Sequence, residues 1–137
     1  MKRYLVIGNP IEHSLSPKLH NYWFEKNNID AKYGKRKIDK SDIPEIISEI
    51  KDNKLDGINV TVPFKSDVIP FLDTLSEESQ ITQSVNTIYK HDKKLVGHNT
   101  DIKGFKLSLK ETQFNLENKT IFILGAGGVG PSIMYAL

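Results

Sequence analysis

The stretch that decides the fold is Asn59-Val60-Thr61-Val62-Pro63-Phe64-Lys65. Apolar and polar residues alternate from Ile58 onward, which predicts a strand with Asn59 and Thr61 on one face. Pro63 has no N–H to donate to a ladder, so the strand should end there and leave Lys65 just past its carboxyl end. Ligands of open α/β sheets bind at that edge. The stretch therefore indicates a site for a small polar ligand, although a solvated edge strand would show the same alternation.

Composition limits the classes of protein to which the chain can belong. Its 137 residues suit a domain of ordinary size, and 19 basic against 17 acidic residues give a formal net charge of +2. The basic residues are scattered, which argues against nucleic acid as a partner. Without cysteine there is neither a disulfide nor a thiolate metal site, and the histidines lack zinc-like spacing, so we predict no metal. No apolar run approaches the roughly 20 residues of a membrane-spanning helix, so we expect a soluble cytoplasmic protein that does not bind membranes.

The order of predicted elements indicates an α/β fold. Strands are predicted at 4–7, 31–38, 58–62, 85–89 and 95–98, and helices at 16–27, 41–50, 65–72, 77–82 and 100–110. Such alternation predicts a three-layer α/β/α domain with a mostly parallel mixed sheet. The last two strands flank Asp92-Lys93-Lys94 and should form a hairpin, which contributes one antiparallel member. We also expect the aromatic residues Tyr22, Trp23 and Phe24 to pack in the core.

A glycine-rich motif near the end of the sequence indicates a nucleotide site. Gly125-Ala126-Gly127-Gly128-Val129-Gly130 follows a predicted strand at 120–124 and precedes a predicted helix, which is the context of a dinucleotide-binding turn. Its glycines would let a pyrophosphate approach the helix amino terminus, although a glycine-rich turn without ligand is the alternative. A βαβ unit needs about 30 residues or more, so we expect the chain to be truncated. We predict an α/β domain at 1–105, a connecting helix and linker at 106–119, and the start of a Rossmann domain at 120–137.

Polar residues also follow other predicted strands. Ser14 and Ser16 lie two apart at a helix start, where two hydroxyls beside free N–H groups could hold a carboxylate. Alternatively, Ser16 simply caps that helix. Asn86 starts a strand, where it could simply hold a turn. Asp101 starts a helix, where its negative charge could simply interact with the positive end of the helix dipole. Together these residues form a set that suits a small ligand with a carboxylate and several hydroxyls.

Lys65 and Asp101 form the pair that we expect to carry chemistry. A lysine is a cation at neutral pH and can polarise a carbonyl or donate a proton as an alkoxide forms. A nearby aspartate would orient the amine and could share in the proton transfer. The alternative is an ordinary ion pair between two loops.

These motifs match one family in order, spacing and residue type. In chain order they are Val6-Ile7-Gly8-Asn9-Pro10, Ser14-Leu15-Ser16-Pro17, Asn59-Val60-Thr61-Val62-Pro63-Phe64-Lys65, Val85-Asn86-Thr87-Ile88, Asn99-Thr100-Asp101 and Gly125-Ala126-Gly127-Gly128. With them the chain resembles the shikimate dehydrogenases over essentially its whole length. The resemblance implies reversible, NADP-dependent reduction of 3-dehydroshikimate to shikimate, a step toward chorismate and the aromatic amino acids.

The resemblance also implies roles for individual residues. By similarity, Ser14 and Ser16 hold the substrate carboxylate, while Thr61, Asn86 and Asp101 bind ring hydroxyls beside a wall supported by Asn59. Lys65 and Asp101 are the catalytic pair by the same similarity. The cofactor NADP would meet the turn formed by Gly125, Ala126, Gly127, Gly128, Val129 and Gly130.

Three residues depart from the family pattern, and two other functions stay open. His98 stands where the family often has tyrosine, Ile102 where it often has glycine, and Ser84 where it has a small apolar residue. A quinate/shikimate dehydrogenase is one alternative, and a shikimate-binding module without turnover is the other. The expected partner is a small-molecule substrate, and a homodimer stays open.

Overall fold

The computed structural model describes all 137 residues. Its strands are β1 (Lys2–Gly8), β2 (Ala31–Lys37), β3 (Gly57–Val60), β4 (Thr74–Leu75), β5 (Thr87–His91) and β6 (Lys94–His98). Its helices are α1 (Ser16–Lys26), α2 (Ile43–Lys51), α3 (Glu77–Thr82), α4 (Asp101–Glu111) and α5 (Gly130–Ala136). None of these helices has the length and apolar character needed to cross a membrane.

The six strands form one mixed sheet in the order β2-β1-β3-β5-β6-β4. Strand β1 pairs in parallel with β2 and β3, and β4 pairs in parallel with β6. Strand β5 is the only strand that runs opposite to the other five, so it pairs antiparallel with both β3 and β6. Its pairing with β6 confirms the predicted hairpin. The carboxyl ends of β1, β3 and β6 and the amino end of β5 therefore meet at one edge of the sheet.

Helices cover both faces of the sheet, as the three-layer prediction requires. The apolar stripe of α2 packs against β1 and β3 in the main core, and none of its four isoleucines is more than 3% exposed: Ile43, Ile46, Ile47 and Ile50. On the other face a smaller cluster of Val6, Ile11 and Tyr33 packs with Phe24 of α1. Alternate residues of β1 thus enter opposite cores, because successive side chains of a strand point to opposite faces.

The prediction that the aromatic residues of α1 lie in the core is wrong for Tyr22 and Trp23. Their exposed fractions are 54% and 46%, and α1 has no buried residue. The helix faces the sheet instead through His20 and Phe24, which are four residues apart and meet Tyr33 and Tyr4. Asn21 also faces the sheet, where its amide bonds the Tyr33 N–H and carbonyl, whereas Tyr22 and Trp23 point toward solvent.

The prediction of a strand over 58–62 is wrong at its end. Strand β3 stops at Val60, and Val62 is 47% exposed rather than buried. The Thr61 N–H still donates to the Ile7 carbonyl at 2.9 Å. The chain then turns because Pro63 has no donor with which to continue the ladder.

Two other predicted elements differ from the structure. The segment 120–125 forms no ladder, and Phe122 and Leu124 are 85% and 98% exposed. No other strand of the chain lies beside it, and an apolar run becomes a strand only when it has a partner. The predicted helix over 65–72 is a series of turns with one 3₁₀ turn at Ile69–Phe71, because Pro70 removes a helical donor.

The stacking of His20 on Tyr33 leads to a prediction about stability. The ring centroids lie 4.2 Å apart, and burial lowers the pKa of His20 because the charged imidazolium loses hydration. The unfolded chain then binds the proton more readily than the folded chain does. The contribution of the neutral His20 ring to stability is therefore present above a pH of about 6.5 and is lost as the pH falls through the lowered pKa. We expect His20→Gln to lose less stability than the parent on acidification below that pH. The measurement is the free energy of unfolding in urea at a series of pH values. Identical pH dependence in both proteins would contradict the prediction.

Candidate active site

The two residues predicted to carry chemistry are in contact. Lys65 follows β3 and Asp101 begins α4, and Lys65 Nζ donates to Asp101 Oδ2 at 2.8 Å. The side chains are 11% and 22% exposed, so solvent screens this ion pair less than it screens a pair on the open surface. The Val85 N–H donates to the Lys65 carbonyl at 2.8 Å and holds the backbone beneath the amine.

Asn86 holds the second oxygen of the same carboxylate. Its Nδ2 donates to Asp101 Oδ1 at 2.9 Å, and its Oδ1 accepts the Thr100 N–H at 3.0 Å. A backbone N–H only donates and a carboxylate only accepts, so these two contacts fix which way the amide faces. Asp101 therefore receives one donor on each oxygen, from Lys65 and from Asn86.

Asn59 lies behind this cluster with its amide group fully engaged. Its Nδ2 donates to Thr87 Oγ1 at 3.0 Å and to the Asn86 carbonyl at 3.2 Å. Its Oδ1 accepts the Tyr33 hydroxyl at 2.6 Å. Because burial raises the pKa of Tyr33, that hydroxyl stays protonated and available as a donor. Asn59 thus braces Asn86 from behind, which is compatible with the supporting position expected for it.

Sequence reasoning did not identify Tyr33, Thr87 or Thr100 as parts of this cluster. Thr87 Oγ1 donates to Asn86 Oδ1 at 3.0 Å and so joins Asn59 to Asn86. Tyr33 reaches the cluster from β2, on the far side of β1. No spacing in the sequence marks a contact between strands that are not consecutive, whereas Thr100 could have been identified from its place beside Asp101.

The two serines and Thr61 line a separate cavity of about 250 Å³. Ser14 Oγ accepts the Ser16 N–H at 3.4 Å, while the Ser16 hydroxyl has no partner within the chain. The helix cap falls on Leu15, so the alternative in which the Ser16 side chain caps α1 is wrong. A Cβ at Gly8 would lie only 2.5 Å from Thr61 Cγ2, so Gly8 is what allows Thr61 to approach β1.

Cavity size alone does not identify the site. A larger cavity of about 490 Å³ lies between β2 and α2 and is lined by Arg3, Lys32 and Arg36 among others. It contains none of the predicted site residues, and Glu49 already pairs with Arg36 at 2.7 Å. The convergence of a lysine, a carboxylate and oriented amides is the stronger indication of chemistry.

The glycine-rich turn lies directly against the lysine. A Cβ at Gly128 would lie 3.8 Å from Lys65 Cδ, so the turn approaches the lysine stem. Gly125 has φ of 101°, a conformation that favours glycine. A Cβ at Gly125 or Gly127 would meet no atom within 4 Å, so open space lies over the turn. The turn therefore has both the backbone and the room that a pyrophosphate needs.

The three departures from the family pattern have different surroundings. Ile102 is 4% exposed and is buried at the start of α4. Ser84 is 3% exposed, and its hydroxyl donates to the Gly128 carbonyl at 3.1 Å. His98 contributes its backbone carbonyl, which accepts the Asn86 N–H at 3.1 Å. No group of three histidine, aspartate or glutamate side chains is placed to hold a metal ion.

Comparison with known proteins gives concordant matches. The family model of the shikimate dehydrogenase substrate binding domain matches residues 6–88. A shikimate dehydrogenase (NADP(+)) of Pelagibacter ubique is 61% identical over 136 residues, which is 99% of this chain and 51% of that protein. The chain thus spans about half the length of the curated relatives it matches.

Solved structures agree in fold over the same residues. The crystal structure of shikimate dehydrogenase 1 from Peptoclostridium difficile superposes with a TM-score of 0.93 at 34% identity, over 99% of this chain and 52% of that one. A shikimate 5-dehydrogenase of Thermus thermophilus in complex with NADP(H) and shikimate gives a TM-score of 0.91 at 33% identity, over 99% and 51%.

Proposed function

Because the chain belongs to the shikimate dehydrogenase family, we propose that it provides the substrate-binding half of an NADP-dependent enzyme that interconverts 3-dehydroshikimate and shikimate. The observation that carries this proposal is the Lys65–Asp101 contact of 2.8 Å at the carboxyl edge of the sheet. An amine held by a carboxylate at that edge suits proton transfer to a carbonyl oxygen that is being reduced.

Lys65 is the proton donor of the proposed reduction. The cofactor, when bound, supplies the hydride to the carbonyl carbon. The carbonyl oxygen gains negative charge in that step, and Lys65 Nζ gives it a proton to complete the hydroxyl. Asp101 keeps the amine in place and stabilises its charge, and the proton is replaced from solvent. In the reverse direction the neutral amine takes the proton from the substrate hydroxyl.

The substrate is proposed to lie between the serine cavity and the Lys65–Asp101 pair. The free Ser16 hydroxyl and the Ser14 hydroxyl would donate to the carboxylate. Thr61 would bind a ring hydroxyl from the same cavity, while Asn86 and Asp101 would bind the hydroxyls nearest Lys65. Asn59 would act by holding Asn86.

NADP is the proposed cofactor, and the residues present fit it. The turn formed by Gly125, Ala126, Gly127, Gly128, Val129 and Gly130 would approach its phosphates, since open space lies over Gly125 and Gly127.

We propose substrate binding by residues 1–105, a connection at 106–119 and the start of the cofactor domain at 120–137. We also propose a cytoplasmic enzyme, and sedimentation of the full-length protein would decide between a monomer and a homodimer.

The decisive experiment is an assay of the full-length protein that carries this sequence. We expect shikimate-dependent reduction of NADP⁺, followed by NADPH absorbance, with little activity on quinate. Comparable turnover of quinate would favour the quinate/shikimate alternative. Backbone amide NMR of the 137-residue chain with shikimate tests binding separately: saturable shifts without turnover by the full-length protein would favour a binding module.

The serine pair gives a prediction about substrate affinity. We expect Ser14→Ala with Ser16→Ala to raise the KM for shikimate by roughly tenfold to a hundredfold with a smaller change in kcat, because two donors to a charged group are lost. Steady-state kinetics and thermal unfolding of the double variant provide the test. Ser108→Ala, which removes an exposed hydroxyl on α4, is the matched control. Loss of stability without a change in KM would contradict the binding role.

A further inference from the structure

A buried polar cluster joins the glycine-rich turn to the rest of the chain. Its members, Ser84, Asn99 and Ser132, are 3%, 2% and 0% exposed. Asn99 Nδ2 donates to the Ser84 carbonyl at 2.9 Å and to Ser132 Oγ at 2.8 Å. Ser84 Oγ donates to the Gly128 carbonyl at 3.1 Å. Polar groups buried this deeply are costly unless they are paired, and each buried polar atom of these side chains has a hydrogen-bond partner, so the cluster is a specific contact between the turn and the rest of the chain.

The same asparagine also fixes the backbone of the catalytic carboxylate. Asn99 Oδ1 accepts the Asp101 N–H at 3.0 Å and the Ile102 N–H at 3.4 Å. Both donors are backbone groups, so the oxygen must face α4 and the nitrogen must face Ser84 and Ser132. A single side chain thus holds both the first residue of α4 and the helix that follows the glycine-rich turn.

Ser84 makes the matching connection to the lysine. It precedes Val85, whose N–H holds the Lys65 carbonyl at 2.8 Å. Its hydroxyl donates to the carbonyl of Gly128, and a Cβ added at Gly128 would lie 3.8 Å from the Lys65 side chain. The cluster therefore connects to Lys65 and to Asp101 by separate short routes, without touching the cavity of Ser14, Ser16 and Thr61.

We propose that Ser84, Asn99 and Ser132 form a positioning latch, which sets the distance between the cofactor-binding turn and the Lys65–Asp101 pair. The inference rests on the proposed dehydrogenase function and adds three positioning residues to it. Hydride transfer requires the reacting atoms to be held at a short distance and in the correct orientation. A small displacement of the turn should therefore reduce turnover sharply. Shikimate binds to other side chains and should be affected much less.

The test compares Ser84→Ala and Ser132→Ala with the parent in the full-length protein. Each variant removes one hydroxyl and leaves all the catalytic and substrate-binding residues in place. We expect kcat to fall roughly tenfold and NADP⁺ affinity to weaken by a similar factor, with shikimate affinity within about twofold of the parent. Cofactor affinity is measured by quenching of protein fluorescence, which requires no turnover, and Ser108→Ala is the control.

The outcomes separate the latch from the proposed function. Unchanged kcat and NADP⁺ affinity in both variants would overturn the latch, as would a parallel loss of shikimate and NADP⁺ binding, which indicates general loosening. A parent protein that binds NADP⁺ but does not oxidise shikimate would overturn the dehydrogenase function instead. A double variant no worse than either single variant would support one coupled latch. Simple additivity would overturn the coupling of the two contacts that the variants remove, Ser84 with Gly128 and Asn99 with Ser132.

Discussion

Lys65→Ala in the full-length protein is expected to lower kcat by roughly a hundredfold to ten-thousandfold, with only a modest rise in the KM for shikimate. The reason is the position of Nζ, 2.8 Å from Asp101 and the only amine in the cluster, so its removal leaves no donor for the developing alkoxide. Binding should survive because the serines, Thr61 and Asn86 make the other expected contacts with the substrate. Steady-state kinetics in both directions measures the two effects separately.

Two further variants show which property of Lys65 matters. Lys65→Arg keeps the positive charge but gives up its proton far less readily, so it should remain strongly impaired if proton transfer is the role. Lys94→Ala removes an exposed cation at the start of β6 and should behave like the parent. Near-normal turnover of Lys65→Ala would exclude Lys65 from catalysis. Substantial activity of Lys65→Arg would reduce its role to electrostatic stabilisation.

The sequence was sufficient to predict the edge of the sheet at which Lys65, Asn86 and Asp101 converge. Alternation in β3, the isoleucine stripe of α2 and the hairpin of β5 and β6 each follow from local periodicity. Parallel strands end at a common edge, so Lys65 and Asp101 could be expected to meet although 36 positions separate them. Their contact followed from topology rather than from any spacing between the two residues.

Other features depend on contacts that periodicity does not encode. Tyr33 supports Asn59 across the intervening β1, and only the strand order brings the two together. Tyr22 and Trp23 are apolar enough for a core, but the rotation of α1 is set by His20 and Phe24. The apolar run at 120–124 has strong β propensity, yet propensity yields no strand without a neighbour to pair with.

Asp101→Asn should cause the second large loss, and it should affect stability as well as turnover. The carboxylate accepts Lys65 on one oxygen and Asn86 on the other, at 2.8 and 2.9 Å. An amide of the same shape has only one oxygen, so one of these contacts becomes an unfavourable meeting of two donors. We expect kcat to fall roughly a hundredfold or more, because Lys65 loses the group that orients it.

The stability effect follows from the same geometry, because the Lys65 side chain is only 11% exposed and the substitution leaves its charge without a counterion. We expect the free energy of unfolding to fall by about 1.5–3 kcal/mol, measured by urea unfolding. Asp92→Asn, in the exposed turn between β5 and β6, is the matched control and should change neither quantity. If Asp101→Asn lost stability but kept its turnover, the ion pair would be structural and Lys65 would act alone. If it lost turnover at full stability, the carboxylate would serve catalysis without contributing to the fold.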